Sequence, residues 1–365
     1  MKTPTIYLLA GIFLLCLSCN PKILSIKNSD NPAFRYAGRV DFTTEGEGIL
    51  IGAASSVSFA IDGDSCYVGL KNGPNGSAHN FVVFEVDGDY QGRFKVEGDS
   101  LSWLSVPITE KGGSHVITVY KATEAAIGDI LFAGTKVFGL RDLPQEPELK
   151  IEFIGNSITC GMGVDLEEVP CGEGEWYDQH NAYLAYGPRI ARALEARFML
   201  SSVSGIGMYR TWNMEEPSMP AVYENRYLNT DSTKQWDFNR FTPDIVSICL
   251  ATNDFSEGDE EHERQPFSEE KFITTYINFV NTLYGHYPNA QLVLLSSPVF
   301  EEAKNELLMK CLQEIQDHFN SKNPQKPIQI YEFHDIVGHG CTGHPDKDDQ
   351  QQMAEQLFPF FQSLL

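Results

Sequence analysis

Basic side chains are scarce in this chain. Twenty-seven lysines and arginines stand against 50 aspartates and glutamates, a formal charge of −23, so a nucleic-acid backbone or an anionic lipid surface would repel it. Neutral substrates and cations remain. Metal-type cysteine pairs are also missing after the N-terminus: Cys66, Cys160, Cys171, Cys249, Cys311 and Cys341 contain no Cys-x-x-Cys spacing, which leaves zinc unsupported. The apolar stretch 6–17 is too short to span a bilayer comfortably. What the chain does have is length, 365 residues with 42% hydrophobic content, enough for two domains and a sizeable core.

Lys2, the apolar stretch and then Ser18 and Cys19 read as a secretory signal over residues 1–19. A small residue before cysteine resembles the bacterial lipoprotein cleavage site. That resemblance implies lipidation of Cys19 and anchoring in the periplasm or outer membrane, although Cys16 stands where the motif prefers leucine. A plain signal peptide is the alternative. Residues 20–32 are polar and read as a linker. In an oxidising compartment Cys160 and Cys171 form either a loop-closing disulfide or two buried free thiols. Cys249, in an apolar strand, and Cys311, on an apolar helix face, are expected in the core.

The chain changes period near residue 145. Residues 33–143 carry short alternating runs, 57–61, 66–70, 81–86, 90–96, 102–106, 115–121 and 128–137, punctuated by Asp62-Gly63, Asp87-Gly88 and Gly112-Gly113. Asp-Gly between alternating runs predicts hairpins, and the half reads as an antiparallel β-sandwich of jelly-roll type. Residues 148–365 instead alternate apolar strands at 151–154, 199–203, 244–250, 291–296 and 328–333 with helical stripes. The stripes are Phe272, Tyr276, Phe279, Leu283; Leu308, Leu312, Ile315, Phe319; and Met353, Leu357, Phe361, Leu364. This predicts an α/β domain with a parallel sheet and crossover helices, the stripes being core.

"IEFIGNSITCGMG" (151–163) places Ser157 just beyond the carboxyl end of the first of these strands, where α/β sheets bind ligands. Alone it is an ordinary turn more often than a catalytic one. Three other strand ends supply what acyl transfer by serine requires, a base and oxyanion donors. "SVSGIGMYR" offers Gly205, whose N–H a ligand can approach without a Cβ in the way. "LATNDF" offers the Asn253 amide, and the late "GCTGHPDKDD" offers His344. Taken singly, Gly205 would be a turn glycine and Asn253 with Asp254 a helix cap; the four together in chain order point to catalysis.

These blocks, Gly-Asn-Ser-Ile-Thr, Ser-Gly-x-Gly, Thr-Asn-Asp and a late His-Pro, resemble the SGNH hydrolases. With the β-sandwich in front, "NAYLAYGPRIARAL" and "GIGMYR", the chain is similar to carbohydrate esterase family 2 over nearly its whole mature length. The resemblance implies a flavodoxin-like α/β/α catalytic domain and an acetyl esterase acting on plant polysaccharides such as xylan or glucomannan. It further implies Ser157 as nucleophile, His344 as base, and Gly205 and Asn253 in the oxyanion hole, without cofactor or metal. Asn156 and Ala251 stand where such enzymes usually have aspartate and glycine. More consequentially, Cys341 and Thr342 stand where an aspartate partner of the histidine is found. A Ser157–His344 dyad is therefore expected, with a main-chain oxygen orienting the imidazole; Asp335 and Asp346 are the nearest alternatives, the latter better suited to capping the last helix.

Trp176, Trp212 and Tyr209 could form an aromatic platform for a sugar ring, or could equally be loop packing. A metal site at His334, Asp335, His339 and His344 lacks the spacing of a helical zinc pair. All four blocks follow residue 150, so the sandwich is expected to wall the cleft or orient the chain without contributing chemistry. The expected partner is an acetylated glycan met by a monomer, with no nucleic acid and no membrane beyond the lipid anchor. The rival reading is a glycan-binding lipoprotein that keeps an esterase fold without its activity.

Overall fold

The computed structural model describes residues 23–74, 76–259 and 261–365. The expected signal and Cys19 lie outside them. β1 (Ser25–Asn28), β2 (Arg35–Ala37), β3 (Val40–Phe42), β4 (Gly48–Leu50), β5 (Ser56–Asp62) and β6 (Tyr67–Asn72) come first. β7 (His79–Val86), β8 (Asp89–Glu97), β9 (Ser102–Ser105), β10 (Ser114–Lys121), β11 (Ile130–Val137) and β12 (Leu140–Arg141) follow. They form two antiparallel sheets, β3-β4-β11-β6-β9 with β1 on β11, and β12-β5-β10-β7-β8 with β2 on β5. Alternate residues of both, among them Phe59, Val119 and Phe84 opposite Val68, Leu70 and Phe132, close a sandwich core.

Two expectations fail here, both over strand pairing. Residues 20–32 are not simply a linker, because 25–28 pair antiparallel with β11 from Ser25↔Val137 to Asn28↔Gly134; this pairing is made by backbone, so polar composition does not betray it. Asp87-Gly88 turns a true hairpin between β7 and β8, with φ of 53° and 90°. Asp62-Gly63 does not: β5 pairs with β10 and β6 with β11, so the segment after Asp62 crosses from one sheet to the other.

In the second half β13 (Lys150–Gly155), β14 (Arg197–Ser202), β15 (Ile245–Cys249), β16 (Gln291–Leu295) and β17 (Gln329–Tyr331) form one parallel sheet in the order β14-β13-β15-β16-β17. The helices are α1 (Ser157–Cys160), α2 (Tyr186–Ala193), α3 (Met219–Val222), α4 (Glu269–His286), α5 (Glu302–Asn320) and α6 (Lys347–Gln362). Side chains alternate across the sheet: Val246, Ile248, Leu292 and Leu294 meet the stripes of α4 and α5. Ile151, Phe153, Val293 and Leu295 meet α2 and α6 on the other face. Cys249 and Cys311 are buried free thiols. The strand order reverses between β13 and β15, and ligands of such sheets bind in the crevice at that switch point.

The two halves share a core. Ala53, Phe81, Val83, Tyr120 and Ala122 of the sandwich belong to the same apolar cluster as Ile151, Phe153, Tyr183 and Leu200, and Ala182 N–H donates to Ala122 O at 2.9 Å. Charge is buried in the seam as well. Arg39, fully enclosed, donates to Asn225 O (2.9 Å) and Ser201 Oγ (3.2 Å) and lies over the Tyr223 and Trp236 rings. Ser201 in turn donates to Glu152 of β13 at 2.6 Å. Removing the sandwich would leave this apolar face and these polar groups in water. A chain of residues 145–365 should therefore show no cooperative heat or denaturant transition, whereas the full chain should unfold in one transition seen alike by near-UV and far-UV dichroism. A soluble 145–365 fragment that melts cooperatively would contradict the shared core.

Candidate active site

Why does the chain turn sharply after β13? Gly155 permits it: a Cβ there would lie 2.0 Å from Thr159 Oγ1. Asn156, in extended backbone, accepts from Ile158 N–H at 3.1 Å through its side chain and caps α1. Ser157 is the first residue of that helix and is presented at the switch point. The asparagine thus makes the local turn bond that an aspartate would make.

Across the cleft, the loop before α6 presents His344. Its Nε2 lies 2.8 Å from Ser157 Oγ, and its Nδ1 lies 3.0 Å from Cys341 O and 3.0 Å from Thr342 Oγ1. A carbonyl can only accept, so the ring proton sits on Nδ1 and Nε2 is free to accept from the Ser157 hydroxyl. The Thr342 hydroxyl itself donates to Cys341 O at 2.7 Å. Neither Asp335 nor Asp346 is hydrogen-bonded to the imidazole; Asp346 caps α6, accepting from Asp348 N–H and Asp349 N–H. Burial lowers the His344 pKa below 6.5, against the raising effect of the main-chain acceptors.

The loop is held by a disulfide that the sequence did not reveal. Cys171 is bonded to Cys341, whose Cα is 5.2 Å away across a sequence separation of 170. This corrects both readings of Cys160 and Cys171: only Cys160 is a buried free thiol, donating to Glu124 Oε2 and lying beside Ser202 Oγ. The segment that carries Cys171 is anchored on the sandwich by His79 to Asp178 (2.5 Å) and by Arg93, which donates to His180 O at 3.0 Å.

The second and third blocks are tied to each other. Gly205 has φ +76° and follows Ser204 in a turn closed by Ile206 N–H to Val203 O at 3.4 Å. A side chain there would also meet Trp212 Cδ1 at 2.9 Å. Asn253 Nδ2 donates one hydrogen to Ile206 O at 2.7 Å, and Arg264 holds Asn253 O at 2.7 Å. The buried Asp254 carboxylate accepts from Met208 N–H and Tyr209 N–H, at 2.7 and 2.8 Å, while burial pushes its pKa up to about 7. Asp254 is thus a clamp between the loops, not a helix cap. Neither Ser157 N–H nor Gly205 N–H has an acceptor among the described residues.

Of the three aromatics considered from the sequence, Trp176 (50% exposed) and Trp212 (42% exposed) face solvent. The Trp176 ring stands edge-on to His180, 5.2 Å away. Tyr209 packs inward instead: its hydroxyl accepts from Ser268 N–H at 3.2 Å and its ring leans on Phe267. The four residues weighed as a metal site do not assemble. His339, Asp346 and Asp349 come together, but their polar atoms are engaged with each other and with the cap of α6.

Residues 36–147 match the family described as Carbohydrate esterase 2 N-terminal, and residues 153–350 match the GDSL-like Lipase/Acylhydrolase family. The chain belongs to the carbohydrate esterase 2 group of GDSL-like hydrolases. It is 30% identical over 344 residues to the Cellulase/esterase CelE of Acetivibrio thermocellus, an alignment covering 90% of this chain and 39% of that protein. The chain thus spans well under half of that relative's length. An Acetylxylan esterase / glucomannan deacetylase of Cellvibrio japonicus is 27% identical over 257 residues, 69% of this chain and 68% of that one. Among solved structures, a family two carbohydrate esterase from Clostridium thermocellum in complex with cellohexaose aligns with a TM-score of 0.79 at 28% identity, covering 90% of this chain and 98% of that chain. For this carbohydrate esterase 2 member, peptide mapping without reductant should recover a cross-linked Cys171–Cys341 peptide and unmodified Cys160. A Cys160–Cys171 peptide would contradict the geometry.

Proposed function

We propose that this chain is an exported serine esterase that removes O-acetyl groups from plant polysaccharides such as acetylated xylan or glucomannan. The observation that carries the reading is the 2.8 Å Ser157–His344 bond at the switch point of a sheet in this family. Ser157 Oγ attacks the acetyl carbonyl carbon as its proton passes to His344 Nε2; the carbon–oxygen bond to the sugar then breaks as His344 returns the proton to the leaving oxygen. Water repeats the sequence on the acetyl-enzyme, releasing acetate. The N–H groups of Ser157 and Gly205 and the second amide hydrogen of Asn253 would receive the oxyanion in both steps.

The glycan class is supported by the name of the Cellvibrio japonicus relative, by the exposed indoles of Trp176 and Trp212, and by a net charge that favours a neutral substrate. The disulfide supports export. With only main-chain and hydroxyl oxygen at Nδ1, the pair acts as a dyad. Acetate release from acetylated xylan and glucomannan should fall by about 10⁴-fold or more in Ser157→Ala and His344→Ala, but by less than about tenfold in Asp335→Ala and Asp346→Ala. A folded aspartate variant as inactive as His344→Ala would mean a triad, and a wild type releasing no acetate would favour the glycan-binding reading.

The base must be neutral to act, and burial lowers its pKa. Activity should therefore be flat at neutral pH and decline on one acid limb whose midpoint lies below 6.5, the ordinary value for histidine. A midpoint above 7 in kcat/KM against pH would instead indicate a carboxylate stabilising the imidazolium.

A further inference from the structure

Among the bonds that hold the Val203–Ile206 turn, one comes from the other domain. Val203 N–H donates to Gly155 O at 3.3 Å, and Gly205 O accepts from Trp212 N–H at 2.8 Å. Between them, Ser204 N–H donates to the Oε2 of Glu124 at 2.6 Å. Glu124 lies between β10 and β11 of the sandwich and is wholly buried. Its Oε2 also accepts from the Cys160 thiol at 2.8 Å, so the same oxygen joins the turn to the end of the nucleophile helix. Lys121 Nζ, buried beside it, donates to Glu124 O at 2.5 Å and fixes the backbone that carries the carboxylate.

An N–H bonded to a carboxylate is held more firmly than one bonded to a neutral oxygen. Ser204 and Gly205 are consecutive, so fixing the Ser204 amide limits rotation of the peptide unit that bears Gly205 N–H. We propose that Glu124 of the β-sandwich is a positioning residue for the oxyanion hole, its carboxylate holding the Ser204 amide so that the next amide, Gly205 N–H, stays aimed at the ester oxygen. The proposal rests on the esterase reading and revises the expectation that the sandwich only walls the cleft.

The test uses the full chain and 4-nitrophenyl acetate, a small ester that needs no sugar contacts. Glu124→Leu fills the volume without an acceptor, and Glu124→Gln keeps one oxygen for Ser204 N–H. The Leu variant should lose about 10-fold to 100-fold in kcat at a nearly unchanged KM, with the acid limb of its pH profile unmoved because His344 is untouched. The Gln variant should recover most of that loss. In the wild type, the Ser204 amide should exchange with deuterium as slowly as the neighbouring strand amides, a measurement that does not depend on either variant folding. A folded Leu variant with wild-type kcat, equal losses in Leu and Gln, a moved acid limb, or rapid Ser204 exchange would each overturn the proposal. An inactive wild type would instead overturn the esterase reading.

Discussion

The seam between the sandwich and the outer strand of the parallel sheet is the constraint on which the site depends. Arg39, Lys121 and Glu124 are sealed there, and Arg93 nearly so. Buried charges are tolerated only in satisfied geometries, because an unpaired one carries a desolvation penalty of several kcal/mol. Such a seam constrains the docking of the halves, although Arg93 Nε and Glu124 Oε1 find no hydrogen-bond partner among the described residues. Two of the groups act at a distance from their own strands: Arg93 on the carbonyl of His180, and Glu124 on the amide of Ser204. The positions of the loop over Ser157 and of the Gly205 turn are consequences of that docking, as much as of the sheet they belong to.

At the histidine the structure takes a different course. A carboxylate beneath His344 would stabilise the imidazolium and would also raise the pKa of an imidazole that, as the proposed base, has to be neutral at working pH. Cys341 O fixes the same tautomer without adding a charge. A carbonyl on a loop is useful only if the loop is rigid, and this one is held twice at the same residue: the carbonyl receives Thr342 Oγ1–H and His344 N–H, and the side chain is covalently bonded to Cys171. His180 lies beneath the neighbouring Trp176 ring and is kept neutral by burial, its pKa lowered to about 3. His180 therefore adds no positive charge of its own beside His344, although Lys121 and Arg93 act on it.

What could be read in the sequence was what short spacing encodes. Gly155 and Ser157 follow a buried strand, Gly205 and Asn253 follow two others, and each stripe such as Phe272, Tyr276, Phe279 and Leu283 shows its helix period; those stripes are core. Pairings across long separations left no local mark. Nothing near Cys171 names Cys341 as its partner, since both lie in polar, Gly-rich loops. Nothing near Glu124 distinguishes it from a surface glutamate, except that Ala122, Ala125 and Ala126 surround it with little side-chain bulk. The strand at 25–28 was hidden because its pairing uses backbone atoms alone. Tyr209 was left open between stacking and packing because its aromatic character was visible and its hydroxyl's partner, the amide at the start of α4, was not.

A carboxyl group behind the proposed oxyanion turn raises an electrostatic objection, since a negative charge near a developing oxyanion opposes it in a low-dielectric site. Lys121 answers it. The ammonium is fully buried and bonded to the Glu124 carbonyl oxygen; burial lowers its pKa to about 8, against the raising effect of Asp129 and Glu124. Burial raises the Glu124 pKa, against the lowering pull of Cys160, Ser204 and Lys121, and the buried ammonium opposes whatever charge the carboxyl carries. Directional rigidity is thus obtained with a weakened opposing field. The alternative, a neutral acceptor for Ser204, would also spare the oxyanion, with Asp129 still acting on Lys121. The same two residues therefore serve both the packing of the halves and the electrostatics of the turn.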